Sequence, residues 1–144
     1  MRIAVGSDHA GFMTKETLKE RLVKDGHEVR DFGTSSPDSC DYPDYARLVA
    51  QAVAEGAAER GLLVCGSGIG MCMAANRFPS VRAAVLHDDF DAEMSRRHND
   101  ANVACLAARK QDQAAQARLL EIFLKTPFDG GRHEARVAKI DQKS

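Results

Sequence analysis

Residues 61–75, GLLVCGSGIGMCMAA, form the stretch that decides the fold. The apolar residues 61–64 predict a buried strand that stops at Cys65, and the glycines that follow predict a tight loop. The small residues 71–75 then predict a short helix. A strand, a glycine-rich loop and a helix in this order are typical of one unit of an α/β protein.

The glycine loop at residues 66–70 predicts an anion site. Glycines let backbone N–H groups approach a ligand closely, because no Cβ stands in the way. Together with a helix N-terminus, such N–H groups attract negative charge. Cys65 lies in this positive potential, which favours its thiolate form. The stretch therefore places a nucleophile or base beside an oxyanion cradle, as reactions through an anionic intermediate require.

Three familiar loops do not fit this sequence. A P-loop has Lys-Ser/Thr after its last glycine, and here Met71 and Cys72 follow. The dinucleotide fingerprint needs its third glycine one residue later than Gly70. A cysteine phosphatase needs an arginine soon after its cysteine, and the next one here is Arg77. A buried structural thiol in a tight turn stays open as an alternative for Cys65.

The composition favours one domain over residues 1–144 and excludes several classes of protein. A hydrophobic content of 44% in 144 residues is enough for a sizeable core. Lys and Arg number 20 against 21 Asp and Glu, so nothing indicates nucleic-acid or membrane-surface binding. We find no charged-then-apolar leader and no apolar run near twenty residues, and the four cysteines fit neither zinc nor a disulfide framework. The simplest expectation is a cytoplasmic protein.

Apolar runs alternate with helical patterns along the rest of the chain. This alternation predicts a parallel sheet covered on both faces. We expect a three-layer α/β/α fold, Rossmann-like, with five parallel strands in the order 2-1-3-5-4. The second strand is more polar and should lie nearer an edge, and the fourth helix should turn Phe90 and Met94 to the core. The expected strands are 2–6, 28–32, 61–64, 81–86 and 103–106, and the expected helices are 12–25, one beginning near Pro43, 71–75, 88–97, 111–125 and a last one from about 130.

Ligands of such folds bind beyond the carboxyl ends of the strands. Three further segments lie at this edge besides the Cys65 loop: Asp8 with His9, the turn after the fourth strand, and Arg109. A purely structural role is the alternative for Asp8, as the N-cap of the first helix. We expect the side chains at this edge to form one site.

His98 is expected elsewhere. It ends a helix that runs antiparallel to the strands, and ten helical residues span about 15 Å. His98 therefore lies near the opposite edge of its own sheet, where it is either structural or serves the site of a second subunit. This distance also argues against a metal site built from Asp8, His9 and His98.

Arg132 and Arg136 lie four residues apart, on one face of the last helix. Two converging guanidinium groups match a phosphate dianion, although a solvated basic face is the alternative for this pair alone. His133 is expected to point away from that face. With His9 and Arg109 available as well, a phosphate-ester ligand is favoured.

Six motifs in order resemble the type B ribose-5-phosphate isomerases, within the ribose/galactose sugar-phosphate isomerase family. The resemblance runs nearly from end to end and implies an aldose–ketose isomerase that is a homodimer or tetramer and uses no metal or cofactor. The motifs are GSDHAG at 6–11, DYP at 41–43, CGSGIG at 65–70, AANR at 74–77, SRRHNDAN at 95–102 and GGRHEARV at 130–137.

The resemblance also implies catalytic roles. Cys65 moves a proton between the first two sugar carbons, and His98 of the partner subunit opens the furanose ring. The family often has Thr where Ser67 stands, and Ser keeps the hydroxyl. One branch lacks the cysteine and has Glu at the position of Met71, so this chain is similar to the cysteine branch. The enediolate oxygens are held by Ser67 and the backbone of Gly66, Gly68, Ile69 and Gly70.

Substrate binding is implied for the remaining motif residues. Asp8 holds sugar hydroxyls, Tyr42 lines the sugar pocket, and Asn99 acts with His98 from the partner. Arg109 is implied to come from the partner subunit as well. The implied phosphate ligands are His9, Arg109, Arg132 and Arg136.

Other functions stay open. Galactose-6-phosphate isomerases share this fold but work as pairs of unlike chains, whereas this chain carries a full set of residues. Allose 6-phosphate is a further six-carbon substrate to consider. A regulatory module that binds phosphate or a nucleotide on a flavodoxin-like fold would need no base at Cys65, and a receiver domain would have an acidic residue there.

Overall fold

Five strands alternate with helices in the computed structural model, which describes residues 1–142. The strands form one parallel sheet in the order β2-β1-β3-β5-β4, which confirms the predicted architecture and order. The more polar strand β2 lies at an edge, as expected. The elements are β1 (Arg2–Ser7), α1 (Phe12–Lys24), β2 (Glu28–Asp31), α2 (Tyr42–Ala54), β3 (Arg60–Cys65), α3 (Ile69–Ala75), β4 (Ala83–Val85), α4 (Asp89–Arg97), β5 (Val103–Ala107), α5 (Gln113–Lys125) and α6 (Arg132–Ile140).

Two helical layers cover the sheet. Alternate side chains of a strand point to opposite faces, so Ile3 and Val5 pack on one side and Ala4 on the other. The first side is covered by α1, α4 and α5 and contains Phe123, and the second is covered by α2 and α3. The strands β1, β3 and β5 are mostly buried on both sides, which is why they appear in the sequence as continuous apolar runs.

Helix α1 is held to the edge strand β2 by an ion pair between a buried lysine and a more exposed aspartate. The side chain of Lys15 is fully buried, and its Nζ donates to Oδ1 and Oδ2 of Asp31 at 2.8 and 2.7 Å. Lys15 also donates to Glu16 at 2.7 Å, and Lys19 reaches the same Asp31 carboxylate at 2.8 Å. The amphipathic pattern of α1 gave no sign that a lysine would be enclosed.

The predicted core face of α4 is partly wrong. Phe90 is 69% exposed, and the helix buries Ala92, Ser95 and Arg96 instead. Asp88 caps the helix by accepting a hydrogen bond from the N–H of Asp91, which starts α4 one residue later than predicted.

Helix α6 buries very little of its surface against its own chain. Only His133 and Val137 of this helix are buried, and the flanking arginines are exposed. Within residues 1–142, no helix combines the length and the apolar character that crossing a bilayer requires.

Candidate active site

Cys65 is the last residue of β3, and its thiol lies at the start of α3. Its Sγ accepts a hydrogen bond from the backbone N–H of Gly68 at 3.1 Å. Gly68 adopts φ +77°, a left-handed conformation that suits glycine, and it directly precedes the first helical residue. The chain thus turns back over the sulfur, and Cys65, at the carboxyl end of β3, is only 5% exposed.

The rest of the loop supplies polar groups around the sulfur. Ser67 is half-buried, and its Oγ accepts from the N–H of Ile69 at 3.2 Å. Two of the expected cradle amides, those of Gly68 and Ile69, thus bond to side chains of the loop itself. A ligand oxyanion that accepts from these N–H groups would replace the Cys65 sulfur and the Ser67 hydroxyl as their acceptors.

Arg109 lies beside this loop in the same chain. Its backbone N–H donates to the carbonyl of Gly66 at 3.1 Å, and a Cβ on Gly66 would come within 3.4 Å of the guanidinium Nη1. The exposed guanidinium therefore lies next to Cys65 of its own chain, which differs from the expectation that the partner supplies it. The tight β5–α5 turn places it there, since β5 is the direct neighbour of β3.

Asp8 lies beside the same loop, at the end of β1. It is 7% exposed, and its Oδ1 accepts from the N–H of Gly11 at 3.0 Å. The residue that caps α1 is Gly11 itself, so Asp8 is not the helix N-cap. A Cβ on Gly11 would lie 2.3 Å from the carbonyl oxygen of Val64, so only glycine allows this close approach to β3.

His9 and Tyr42 border the site on the side of α2. The Nδ1 of His9 accepts from the N–H of Cys40 at 3.2 Å, which leaves Nε2 as the protonated nitrogen of the neutral ring. The ring of Tyr42 lies against Gly70, where a Cβ would come within 2.6 Å of it. Of the expected site residues, the carboxyl edge therefore brings together Asp8, His9, Tyr42, Cys65, Ser67, the glycine loop and Arg109.

The other expected residues lie at the opposite edge of the sheet. His98 caps the C-terminus of α4, and Asn102, shortly after it, accepts from Gly61 at the start of β3. A strand of five residues spans about 17 Å, so one chain does not bring His98 to its own Cys65. Asn99, Arg132 and Arg136 are exposed on the same side as His98.

His133 points away from the exposed face of Arg132 and Arg136, as expected, but its contact with His98 was not predicted. It is 7% exposed and stacks on His98, with ring centroids 4.4 Å apart and an angle of 12° between the planes. Burial lowers the pKa of His133, and the nearby charges of His98, Arg132 and Arg136 lower it further. The spacing of His133 and Val137, one turn apart on α6, was the signal that could have revealed this buried face.

Asp129 was missed as well. Its carboxylate accepts from Nε of Arg97 at 3.1 Å, and this contact lowers the pKa of Asp129. Ligand-type atoms of His98, Asp129 and His133 all lie within 4.8 Å of one another. No local pattern marks Asp129, because its partners come from another helix.

Known proteins of similar sequence match nearly the whole chain. A family model described as Ribose/Galactose Isomerase matches residues 3–140. Ribose-5-phosphate isomerase B of Escherichia coli (strain K12) is 42% identical over 139 residues, which cover 96% of this chain and 93% of that protein. Ribose-5-P isomerase B of Listeria innocua is 39% identical over 147 residues, covering 100% and 99%.

Solved structures agree with the sequence matches. Ribose-5-phosphate isomerase B of Clostridium thermocellum superposes with a TM-score of 0.97 at 45% identity, over 98% of this chain and 95% of that one. The enzyme of Mycoplasma genitalium, solved with bound ribulose-5-phosphate, gives a TM-score of 0.94 at 39% identity, over 97% and 93%. The described fold is thus shared over nearly the whole chain.

Proposed function

This chain belongs to the ribose/galactose isomerase family, and from that membership we propose that it interconverts ribose 5-phosphate and ribulose 5-phosphate. The observation that carries the proposal is the Cys65 sulfur, held by the Gly68 N–H at the open edge of the sheet beside Asp8 and Arg109. The similarity to an enzyme solved with bound ribulose-5-phosphate supports the choice of substrate.

The arrangement suits an enediolate mechanism. Isomerisation removes the proton from C2 of the aldose, leaves an enediolate, and returns a proton to C1. We assign this transfer to the Cys65 sulfur, acting as the general base. Ser67 and the loop amides stabilise the developing oxyanion, because fixed donors are strong where water is excluded. A proton shift between neighbouring carbons needs side chains and amides alone, so the proposal includes no metal or cofactor.

The substrate is held at both ends. Asp8 and Tyr42 border the sugar, while His9 and Arg109 supply a hydrogen-bond donor and a positive charge for its phosphate. Because the Arg109 guanidinium lies against Gly66 of its own chain, we assign it to its own site. Asn99, Arg132 and Arg136 lie at the far edge with His98.

A complete site in this proposal needs a second copy of the chain. His98, the proposed ring-opening residue, and the two arginines would reach Cys65 of a partner and not of their own chain. We therefore propose a homodimer, or a tetramer built from such dimers, with sites shared between subunits. The four cysteines are free, so we propose a reducing setting such as the cytoplasm.

An isomerase assay with the purified chain alone tests the function. We expect turnover of ribose 5-phosphate and little or none of allose 6-phosphate or galactose 6-phosphate. The Cys65→Ala variant should lose about 10²–10⁴-fold in kcat, as expected for loss of a general base, while ribose 5-phosphate still binds in calorimetry. Unchanged turnover would remove Cys65 as the base, and binding without turnover in the unaltered protein would favour a regulatory phosphate-binding module.

A further inference from the structure

A pair of stacked imidazoles stands at the amino edge of the sheet, outside the Cys65 loop. His98 follows the last residue of α4, and His133 is the second residue of α6. The ring centroids are 4.4 Å apart and the planes are nearly parallel, at 12°. His133 is buried while its neighbours Arg132 and Glu134 are exposed, so the first turn of α6 directs this ring alone into the protein.

A carboxylate completes the cluster. The backbone N–H of Asp129 donates to the carbonyl of Arg97 at 3.0 Å, and its carboxylate accepts from the Arg97 side chain at 3.1 Å. Arg97 precedes His98 directly, so these bonds tie the α5–α6 connection to the end of α4. The Asp129 carboxylate lies within 4.8 Å of ring nitrogens of both histidines.

Burial and the charges around the pair favour the neutral form of His133 by lowering its pKa. Burial, His98, Arg132 and Arg136 all lower the pKa of His133, and only Asp129 opposes them. The hydrogen bond from Arg97 lowers the pKa of Asp129, and the hydrogen bonds that Arg97 donates to Asp129 and then to Glu93 raise the pKa of Arg97. A neutral ring stacked on His98 can orient it without repelling a proton that it carries.

A metal ion does not suit this geometry. Imidazole nitrogens coordinate along lone pairs that lie in the ring plane, and an ion between two nearly parallel rings would lie outside both planes. The third group, Asp129, already accepts from Arg97. The stack is thus better suited to holding one ring still than to binding a cation.

We propose that His133 is a positioning residue for His98, and this inference rests on the proposed function. The stack fixes the plane of the His98 ring, with Asp129 and Arg97 anchoring the connection behind it. Ring opening breaks the bond between C1 and the ring oxygen, moves the proton of the anomeric hydroxyl to that oxygen, and leaves a carbonyl at C1. One imidazole can carry this proton only if it faces both oxygens, so its orientation matters for the rate.

Two reactions separate this role from that of Cys65. Conversion of ribose 5-phosphate begins with a closed ring. Ribulose 5-phosphate has no five-membered ring, because its C5 oxygen carries the phosphate, so exchange of its C1 proton with deuterated water needs the base but no ring opening. The conversion rate and the exchange rate, both followed by NMR, therefore report the two steps independently.

We expect His133→Ala to lower kcat for conversion by about 10- to 100-fold, with C1 exchange within about twofold of the unaltered protein. His133→Phe keeps a flat, neutral ring and should recover most of the conversion. Val137→Ala, at the other buried position of α6, is the matched control for docking of the helix and should leave both rates unchanged. Unaltered conversion in His133→Ala, or equal losses of conversion and exchange in both His133 variants, would overturn the proposal.

A measurement without substrate separates this inference from the proposed function. The ring protons of His98 should show a ring-current shift in the NMR spectrum that is lost in His133→Ala and kept in His133→Phe. If the unaltered protein shows no such shift, the positioning role is excluded whatever the enzyme acts on. If the shift is present but no sugar phosphate is converted, the proposed function fails and the stack stands.

Discussion

The sulfur of Cys72 both donates and accepts hydrogen bonds, and it donates to the carbonyl of Ala83 at 3.3 Å. Asn76 Nδ2 lies 3.5 Å from its sulfur, and the N–H of Val85 and the thiol of Cys105 also approach it. The hydrogen bond from Cys105 is the main cause that lowers the pKa of Cys72 to about 7, with burial opposing it. Contact with Cys72 and burial raise the pKa of Cys105 well above its usual range.

This difference predicts selective alkylation. Because a thiolate forms as pH rises through the pKa, the iodoacetamide reaction of Cys72 should be half-maximal near pH 7, while Cys105 stays unmodified until the protein unfolds. Peptide mass spectrometry over a pH series checks both. Asn76→Ala removes one donor and should move the Cys72 midpoint upward. A Cys72 midpoint above pH 8 would contradict the prediction.

At the level of single residues, the sequence predicted the Cys65 loop well and the histidine stack poorly. The Gly68 N–H reaches the Cys65 sulfur within one turn of chain, so a local motif is enough to reveal it. The contact of His98 with His133 joins the ends of two helices, and no local pattern contains that information.

At the level of elements, hydrophobic periodicity predicted every helix and strand and left the helix faces uncertain. Strand polarity placed β2 at an edge, because an edge strand is solvated along one side. Phe90 was assigned to the core by its apolar character, but α4 begins after the Asp88 cap and buries Ala92, Ser95 and Arg96. Helix faces are decided by such caps and by tertiary contacts as much as by the apolar pattern.

The ion pair between α1 and β2 gives a prediction at this scale. Asp31→Asn should lower the free energy of unfolding by about 3 kcal/mol, because it leaves the buried Lys15 with Glu16 as its remaining acid. The measurement is urea denaturation near pH 7. Lys19→Met removes a partly exposed partner of the same carboxylate and should cost at most about 1 kcal/mol. Equal losses in the two variants would show that burial of Lys15 is unimportant.

The same pair has a pH dependence. Burial raises the pKa of Asp31, but hydrogen bonds from Lys15 and Lys19 outweigh it, so the net pKa is lowered. The contribution to stability is therefore complete above the unfolded value of about 4 and is lost as pH falls through the folded value. The stability of the Asp31→Asn variant should accordingly change less on acidification below pH 4.

At the scale of the whole molecule, the fold divides the proposed site between two edges of one sheet. The carboxyl edge carries Cys65, and the amino edge carries His98. The sequence predicted this division from the direction of one helix. It did not predict that Arg109 lies over Gly66, since that depends on the turn after β5.

Mixing two inactive variants tests the shared site. Cys65→Ala and His98→Ala chains, refolded together, should recover about a quarter of wild-type activity, since half of the dimers are mixed and one of their two sites is intact. Each variant refolded alone under the same conditions is the control. The absence of recovery in a sample shown to contain mixed dimers would place both residues in a site within one chain.

The placement of the two residue groups at opposite edges has one more consequence. In the proposed shared site a lone chain holds only part of the catalytic residues, so we expect dilution that separates the subunits to lower the activity. Specific activity would then follow the fraction of chains that have found a partner, and in a cell that fraction is set by how much of the protein is made.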